Sequence, residues 1–310
     1  MMTQFVLLGL TDGTELQVPL FFIFSVIYTI AVLGNLGMIV LIWTHLQLHT
    51  PMYFFLGNLS VIDLCSATVF APRMLGNFFA QSKAISYSAC LSQTFFFVVF
   101  ITTEVFLLTA MAYDRYVAIC SPLIYSTVMT KRVCMQLVVG SYMGGLLNSL
   151  THTCGLLGLP FCGPNVINHY FRDTHPLLKL TCSDGRLNEL LLITFNGTIS
   201  MTVLLIIVIS YVYILVSILS IRSARGRHKA FSTCAPHLLT VTLFYVPAGL
   251  SHMQPGSKYS LDMEKVTAVF YTLLVPMLNP LINSLRNKDV KDTLRRARER
   301  IFSQAAHCVL

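Results

Sequence analysis

Long apolar segments alternate with shorter polar ones along the whole chain. Seven segments are apolar over about 20 residues or more, the length that a helix needs to cross the hydrocarbon core of a bilayer. Backbone amides in hydrocarbon must find partners within the segment, so each segment is expected to be an α-helix. The predicted spans are residues 20–43, 52–74, 91–119, 134–159, 188–219, 229–252 and 265–285.

These spans predict a single membrane domain. The polar connections are short except for residues 160–187, and a loop of that length is usually functional or disordered. We therefore predict an all-α membrane protein, with a seven-transmembrane helix bundle at residues 20–285. A short tail at residues 1–19 precedes it.

The segment after the last span predicts one further helix. Val290, Leu294, Ala297 and Ile301 recur at helical spacing, with basic residues between them. A helix with one apolar and one basic face lies along the membrane interface. We expect residues 286–310 to hold a short amphipathic helix on the inner leaflet, the alternative being a solvated basic tail.

Composition excludes an ordinary soluble protein. Hydrophobic residues make up 55% of the chain and charged residues 11%, whereas soluble domains carry about 25% charged residues. That leaves too little charge to cover a water-facing surface.

The basic residues predict the orientation in the membrane. An odd number of spans places the two ends on opposite sides, and fourteen of the 21 Lys and Arg residues fall on one of them. An excess of Lys and Arg marks the cytoplasmic side, so we expect the C-terminus inside and the N-terminus outside. The net charge of +8 is then explained by topology, and no nucleic-acid partner is needed.

Two acids fall inside predicted spans, where charge is costly. Asp63 lies in the second span and Glu104 in the third, while Asn35 and Asn279 add amides in the first and seventh. Neighbouring carboxylates repel, so we expect them to share a proton or a cation. Three interpretations stay open: a site for a hard cation such as sodium, a protonated or hydrogen-bonded structural pair, and the proton relay of a transporter.

A charged triplet, Asp114, Arg115 and Tyr116, closes the third span. Arg115 keeps its charge at any physiological pH. Basic residues often mark the cytoplasmic end of a span, so a membrane anchor is the simple interpretation and a functional role is the alternative.

No residue pattern is typical of an enzyme. The chain lacks a metal-ligand spacing, a phosphate-binding glycine loop and a nucleophile elbow. His45 and His49 have i, i+4 spacing, but a pair beside a loop is more often a surface feature than a metal site. We predict a protein that is not an enzyme and has no cofactor apart from a possible sodium ion.

Three cysteines fall on the predicted outer side. Cys162 and Cys182 lie in the long connection, and Cys90 precedes the third span. The cell exterior is oxidising, so all three are disulfide candidates, but an odd number leaves at least one over. Small hydrophobic packing is expected for the other cysteines in or near the spans, which are Cys65, Cys120, Cys134, Cys154 and Cys234.

Six motifs, in order and covering almost the whole chain, carry a family resemblance. They are Gly34-Asn35, LHTPMYFFLGNLSVIDLC at residues 48–65, MAYDRYVAIC at 111–120, Ser210-Tyr211, KAFSTCAPHL at 229–238 and PMLNPLINSLRNK at 276–288. One such motif is moderate evidence, whereas six at the right spacing are very specific. The chain resembles the odorant (olfactory) receptor family of rhodopsin-like G-protein-coupled receptors.

The resemblance implies a function and its partners. A small volatile or lipophilic odorant binds in the outer half of the bundle and favours a state with an open cytoplasmic face. A stimulatory heterotrimeric G protein of the olfactory type docks there, and cyclic AMP rises. A multi-pass protein of the plasma membrane is implied as well.

The resemblance also assigns residues. Asp63 and Glu104 match the family's sodium-site acids. The coupling and activation residues that it implies are Asp114, Arg115, Tyr116, Tyr211, Lys229, His237, Asn279 and Pro280. Helical offset from Arg115, with similar estimates on later spans, places a ligand pocket at Phe97, Val98, Ile101, Thr102, Phe195, Ile199, Tyr245, Ala248, His252 and Thr272. Ordinary packing between helices is the alternative for each of them.

One departure from the family pattern affects the expected disulfides. Arg172 stands where the family has the cysteine that bridges to the position of Cys90. Cys90 thereby loses its expected partner, and the resemblance leaves a Cys162–Cys182 bridge.

Other departures affect switching and processing. Asn283 replaces the tyrosine that ends the family's Asn-Pro-x-x-Tyr switch, and Pro236 stands where a serine is common. The N-terminal tail has no glycosylation sequon. The alternatives to a working receptor are a degenerate receptor that traffics poorly and an ion or proton transporter that uses Asp63 and Glu104.

Overall fold

Seven helices make up most of the computed structural model, which describes residues 4–7, 14–80, 84–157, 166–167, 186–252, 267 and 269–286. All seven predicted spans are found as helices. They are α1 (Thr14–Thr44), α2 (Pro51–Asn77), α3 (Tyr87–Cys120), α4 (Lys131–Leu157), α5 (Arg186–Ser220), α6 (Ala224–His252) and α7 (Val275–Arg286).

Local capping explains why α2 and α3 begin before their apolar runs. Pro51 occupies the first turn of α2, where its missing N–H costs no hydrogen bond, and Thr50 before it is extended. Ser86 caps α3, because its Oγ accepts a hydrogen bond from the N–H of Ala89 at 3.3 Å. Polar residues at the ends thus continue each helix beyond the hydrophobic segment.

Within the described part of the chain, five helices are long and apolar enough to cross a membrane by length and composition: Leu16–Thr44, Pro51–Asn77, Tyr87–Cys120, Lys131–Leu157 and Thr194–Ser220. Large apolar side chains point away from the bundle on several of them, including Phe22, Leu33 and Leu147. Such a surface is stable only against lipid, so the chain is a multi-pass membrane protein.

Helix α3 lies at the centre of the bundle. It packs against α2, α4, α5 and α6, while α1 packs against α2 and α7. Leu107 and Leu108 on α3 are fully buried. Gly145 allows α4 to come close, because a Cβ atom at this position would lie 2.7 Å from the carbonyl oxygen of Val99 on α3.

A π-helical turn, Phe270–Leu274, leads into α7. The Tyr271 hydroxyl in this turn donates a hydrogen bond to the carbonyl oxygen of Phe244 on α6, at 2.9 Å. π-turns are rare and often occur at functional sites. This one joins the last two helices of the bundle.

Three short strands form a small sheet that the hydrophobic pattern did not predict. Strand β1 (Gln4–Leu7) lies between β2 (Ala84–Ser86), with which it is antiparallel, and β3 (Val166–Ile167), with which it is parallel. The tail before α1 is thereby joined to the start of α3 and to the connection between α4 and α5. The amphipathic helix predicted within residues 286–310 lies outside the described residues apart from Arg286, where α7 ends.

Candidate functional site

A cluster of carboxyl and amide groups lies buried between α1, α2, α3 and α7. The Asn279 side-chain amide on α7 donates a hydrogen bond to Oδ2 of Asp63 on α2 at 2.9 Å. Glu104 on α3 is close enough to interact electrostatically with Asp63 and to hydrogen-bond to Asn279. Asp63 is only 1% exposed, and the other two are also buried. The structure therefore brings together the two acids and the amide that the sequence had placed on three separate spans.

Asn35 connects the same region to α7 through its side chain. Its Nδ2 donates to the carbonyl oxygen of Ala31 at 2.9 Å and to that of Pro276 at 2.8 Å. The Pro276 carbonyl is accessible to this amide because Pro280 has no N–H to donate to it. Gly34 permits the contact, since a Cβ atom there would lie 2.9 Å from Cγ of Pro280.

The cluster has oxygen atoms that fit a hard cation. Oδ1 of Asp63, Oε1 of Glu104 and Oδ1 of Asn279 are buried and accept no hydrogen bond within the described part of the chain. Buried polar atoms normally have partners, and a small cation bound by oxygen would supply one for all three. Among the described residues no three His, Cys, Asp or Glu side chains converge to hold a metal, so amide oxygens would have to complete the ligand set.

Asp114 is anchored near the C-terminal end of α3. Its Oδ1 accepts a hydrogen bond from the hydroxyl of Tyr125 at 2.8 Å. Tyr125 begins a single helical turn, Tyr125–Val128, in the connection before α4. Burial, and then the charge of Asp114, raise the pKa of the Tyr125 phenol, which remains a donor at physiological pH. The Tyr125–Asp114 hydrogen bond holds the connection between α3 and α4 against the end of α3.

Tyr211, His237 and Leu108 form a chain of hydrogen bonds across three helices. The Tyr211 hydroxyl on α5 lies 2.7 Å from Nδ1 of His237 on α6, and Nε2 of His237 lies 3.0 Å from the carbonyl oxygen of Leu108 on α3. A carbonyl can only accept, so Nε2 donates, and in a neutral ring Nδ1 then accepts from Tyr211. The chain links α5 and α6 to the core of the bundle.

Arg115 lies half-buried beside this chain. Its charge acts on His237, Tyr211 and Cys234, and its buried Nε atom has no hydrogen-bond partner among the described residues. The neighbouring carboxylate of Asp114 interacts electrostatically with this guanidinium. The burial of Nε shows that this part of the side chain is not extended into water.

Two of the other predicted coupling residues, Tyr116 and Lys229, lie toward the end of the bundle at which α3 ends. Tyr116 packs edge-on against Tyr213 of α5, with ring centroids 6.0 Å apart. Lys229 is exposed on the first turns of α6. Pro280 is buried against Gly34, as described above, and lies deeper in the bundle. The structure thus gathers Asp114, Arg115, Tyr116, Tyr211 and His237 into one region.

The predicted pocket residues are divided between buried and open positions. Phe97 packs edge-on against Phe70 of α2 at 5.8 Å between ring centroids. Val98, Thr102 and Thr272 are buried, whereas Phe195 is 45% exposed. The half-buried members of the set are Ile101, Ile199 and Tyr245. Ala248 and His252 lie on α6, but their side chains are outside the described residues.

The Thr102 side chain makes a contact that sequence reasoning missed. Its Oγ1 accepts a hydrogen bond from the Asn148 amide on α4 at 2.9 Å, and the same amide donates to Oδ1 of Asn196 on α5 at 3.2 Å. Isolated amides within apolar spans are the only signal in the sequence that points to this group.

The disulfide prediction lies largely outside the described residues. This holds for Cys162, Cys182 and Arg172. Cys90 is fully buried near the N-terminal end of α3. The five other cysteines expected to pack as small hydrophobes are free thiols.

Comparison with known proteins assigns the family. A family model described as olfactory receptor matches residues 24–300. The chain is 54% identical over 297 residues to olfactory receptor 5J2 of Homo sapiens, which covers 96% of this chain and 95% of the relative. It is 51% identical over 294 residues to olfactory receptor-like protein COR4 of Gallus gallus, and this match covers 95% of this chain and 94% of the relative. The chain therefore belongs to the olfactory receptor family of rhodopsin-like G-protein-coupled receptors, which are receptors and not enzymes.

Proposed function

We propose that this protein binds a small volatile or lipophilic molecule in the outer half of its bundle and then activates a stimulatory heterotrimeric G protein, which raises cyclic AMP. The observation that carries the proposal is the position of Arg115. A permanent cation, whose Nε has no hydrogen-bond partner within the described ranges, lies beside the Tyr211–His237 hydrogen bond, which joins α5 to α6. Separation of these helices would expose a cation and an aromatic surface together.

An exposed apolar turn beside Arg115 supports a protein partner on this face. Leu123 is 95% exposed in the 3-10 turn Pro122–Ile124, outside the spans. The Tyr125–Asp114 bond holds the next residues of the connection in place. A rigidly held leucine in water is costly unless a partner covers it, and it fits an apolar pocket of a docking protein.

The distribution of charge supports the orientation that this function needs. Basic residues at 222–229 follow α5 in the sequence, and those at 286–300 begin where α7 ends; both helices end on the side of the bundle where α3 ends, close to Arg115. Cytoplasmic connections are enriched in Lys and Arg, which also favour the anionic inner leaflet. We infer a plasma-membrane protein with its N-terminus outside and its C-terminus in the cytoplasm.

A monovalent cation, sodium by preference, is the partner proposed for the buried acids. Asp63, Glu104 and Asn279 offer, from three helices, oxygen atoms that accept no hydrogen bond from the residues that the structure describes. A cation there would neutralise two neighbouring carboxylates and hold α2, α3 and α7 in one arrangement. It would be a structural and regulatory ion and would take no part in chemistry.

The test of receptor function is a cyclic AMP assay in cells that express the chain with a stimulatory G protein. A panel of volatiles is screened, and the best agonist is applied to Arg115→Ala and to Arg132→Ala. Arg132 is an exposed arginine at the start of α4 and is the matched control. The response should disappear in Arg115→Ala and persist in Arg132→Ala at equal surface staining. An unchanged response in Arg115→Ala contradicts the proposal.

Cation or proton transport is the second candidate, because Asp63 and Glu104 form a buried acidic pair. It predicts flux across vesicles that contain only the purified chain, and this flux should be lost in Glu104→Gln. Absence of flux removes this candidate. A receptor retained inside the cell is tested by surface staining of the tagged chain and of Arg172→Cys, and strong staining of the unaltered chain excludes it.

A further inference from the structure

One thiol from α3 and one from α6 pack into the same apolar cluster on α5. Cys120 is the last residue of α3, and Cys234 lies on α6. The buried core of the cluster consists of Ile214, Ile218 and Cys234, and Cys120 packs against it. Both cysteines are free thiols, and the function proposed above uses neither of them. The fold therefore brings together two reactive groups that lie far apart in the sequence.

The side of α5 that contacts Cys120 is also the side on which Cys234 packs. The Ser217 hydroxyl on α5 donates a hydrogen bond to Sγ of Cys120 at 3.1 Å. Ser217 and Ile218 follow Ile214 by three and four residues, and side chains at these spacings share one face of a helix. Cys120 and Cys234 are also close enough to interact electrostatically. The two thiols are therefore neighbours at the end of the bundle where α3 ends.

The two thiols differ in how easily a reagent in water reaches them. Cys120 is half-buried, whereas Cys234 is 2% exposed. A small oxidant therefore reaches Cys120 first, and Cys234 then lies beside the oxidised sulfur. The orientation proposed above places this end of the bundle in the cytoplasm, where thiols are kept reduced and disulfides are usually transient. The resting form of the pair is therefore the dithiol.

We propose that Cys120 and Cys234 form a reversible redox site, at which hydrogen peroxide converts the two thiols into a disulfide between α3 and α6. The Cys120 sulfur attacks one peroxide oxygen, the O–O bond breaks, and the leaving hydroxide takes the thiol proton as water, which gives a sulfenic acid. The Cys234 sulfur then attacks the sulfenic sulfur. The S–S bond forms, the S–O bond breaks, and the leaving hydroxide takes the second thiol proton as water. The two thiols lose two electrons, and the peroxide gains them.

The disulfide would hold an arrangement that hydrogen bonds already stabilise. Cys234 lies about one turn before His237, which is bonded to the Leu108 carbonyl of α3 and to Tyr211 of α5. A covalent bond between α3 and α6 prevents these helices from separating at this end. The oxidised chain then cannot open a face for a G protein. This last step rests on the proposed function, whereas formation of the disulfide does not.

The first experiment detects the disulfide in the purified, reduced full chain. Hydrogen peroxide is added, catalase ends the reaction, and N-ethylmaleimide blocks the remaining thiols. Cleavage after Lys and Arg places Cys120 in residues 116–131 and Cys234 in residues 230–258, so the disulfide joins two separate peptides. Mass spectrometry should find the joined peptide after peroxide and no longer find it after dithiothreitol. A disulfide needs Cα atoms within about 7 Å of each other, so absence of the joined peptide overturns the inference.

The second experiment measures the melting temperature of the same samples. A cross-link restricts the unfolded chain, so peroxide should raise the melting temperature by several degrees and dithiothreitol should reverse the rise. Cys120→Ala and Cys234→Ala should each show no rise. Cys65→Ala is the matched control, because Cys65 on α2 is a half-buried thiol like Cys120, and this variant should show the full rise. An equal rise in Cys234→Ala overturns the inference.

The third experiment compares the cyclic AMP response of cells before and after a pulse of peroxide. The response to the best agonist should fall in the unaltered chain and in Cys65→Ala, and should be retained in Cys234→Ala. A joined peptide together with an undiminished response overturns the regulatory step. A joined peptide and a reversible rise in melting temperature support the redox site even if no volatile raises cyclic AMP, and that last result contradicts the proposed function alone.

Discussion

The hydroxyl of Tyr211 lies 2.7 Å from Nδ1 of His237, and the two rings stack with centroids 5.7 Å apart and planes inclined by 13°. Two contacts of different kinds therefore join the same pair of residues across α5 and α6. Because the other ring nitrogen of His237 is bonded to the Leu108 carbonyl, the pair cannot shift without breaking a bond to α3 as well. These contacts stabilise one packing of α3, α5 and α6 against each other.

Tyr211→Phe tests this relationship with a minimal change. It preserves ring stacking but leaves Nδ1 of His237 buried without a donor, which should cost about 1–3 kcal/mol. We expect a lower melting temperature of the purified chain in the absence of ligand. The cyclic AMP response should change as well, because the equilibrium between inner packings is altered.

Tyr213→Phe is the control for this substitution. Tyr213 is 57% exposed on the same helix and makes no side-chain hydrogen bond in the described part of the structure. The same loss of a hydroxyl should leave its melting temperature near that of the unaltered chain. Equal effects of the two substitutions on the melting temperature would show that the Tyr211–His237 hydrogen bond contributes nothing to the stability of the folded chain.

Gly145→Ala should separate α3 from α4. The added Cβ would lie 2.7 Å from the Val99 carbonyl oxygen, a backbone atom that cannot rotate away. Forcing extra volume into a packed interface costs about 1–3 kcal/mol, so melting temperature and surface expression should both fall. Gly140→Ala is the matched control, since a Cβ atom on Gly140 meets no described atom within 4 Å. A stable Gly145→Ala protein would mean that the helices are further apart than described.

The helices follow from the sequence because their cause is local. Each apolar run satisfies its own backbone in lipid, so length and composition are enough to place a span. The predicted spans differ from the observed helices mainly at their starts. Helices α1, α3 and α6 begin before the predicted residue, at Thr14, Tyr87 and Ala224, and α7 begins later, at Val275, after the π-helical turn. Strands of two to four residues, in contrast, have no measurable period and depend on distant partners, so β1 was not predicted.

The site residues that the family motifs contain could be predicted from the sequence. The contacts that depend on how each helix is rotated against its neighbours could not. Asp63 and Glu104 were expected to share a proton or a cation, and the structure places both acids beside Asn279, which the resemblance had assigned to coupling. Thr102 was assigned to a pocket by its offset from Arg115, which gives the face of a helix but not the partner opposite. Its bond to Asn148 depends on how closely α4 approaches, and this is set by Gly145.

The Tyr125–Asp114 bond predicts how stability depends on pH. Burial and the Asp114 charge raise the pKa of the phenol above its ordinary value of 10.0. The stabilisation is therefore fully present below pH 10, where the phenol is protonated in both states, and is lost as the pH rises through the folded-state pKa. A hydrogen bond to a charged group contributes about 1.5–3 kcal/mol, so Tyr125→Phe should lower the melting temperature at pH 7.

The measurement compares melting temperatures of the unaltered chain and of Tyr125→Phe between pH 7 and pH 11. The difference should be constant up to about pH 10, the ordinary phenol pKa, and should shrink above it, because only the unaltered chain has a phenol to ionise here. A difference that stays constant to pH 11, or that is absent at pH 7, contradicts the bond described.

The effect of sodium on the melting temperature tests the cluster of Asp63, Glu104 and Asn279. If Asp63, Glu104 and Asn279 hold sodium, the ion binds the folded state only and raises the melting temperature. A sodium concentration of ten times its dissociation constant should stabilise the folded chain by about 1.4 kcal/mol. Purified chain is compared in sodium chloride and in N-methylglucamine chloride of equal ionic strength. Glu104→Gln and Asp63→Asn should each abolish the difference, because one charge alone cannot offset the dehydration of the ion.

Asp114→Asn supplies the control for these acids. Asp114 is a buried carboxylate of the same bundle, but its Oδ1 is already bonded to Tyr125 and it lies more than two turns of α3 beyond Glu104. Its substitution should leave the sodium effect intact. A sodium effect that survives Glu104→Gln would assign the ion elsewhere. No sodium effect in the unaltered chain would instead favour a shared proton, since two neighbouring carboxylates cannot both stay ionised without a cation.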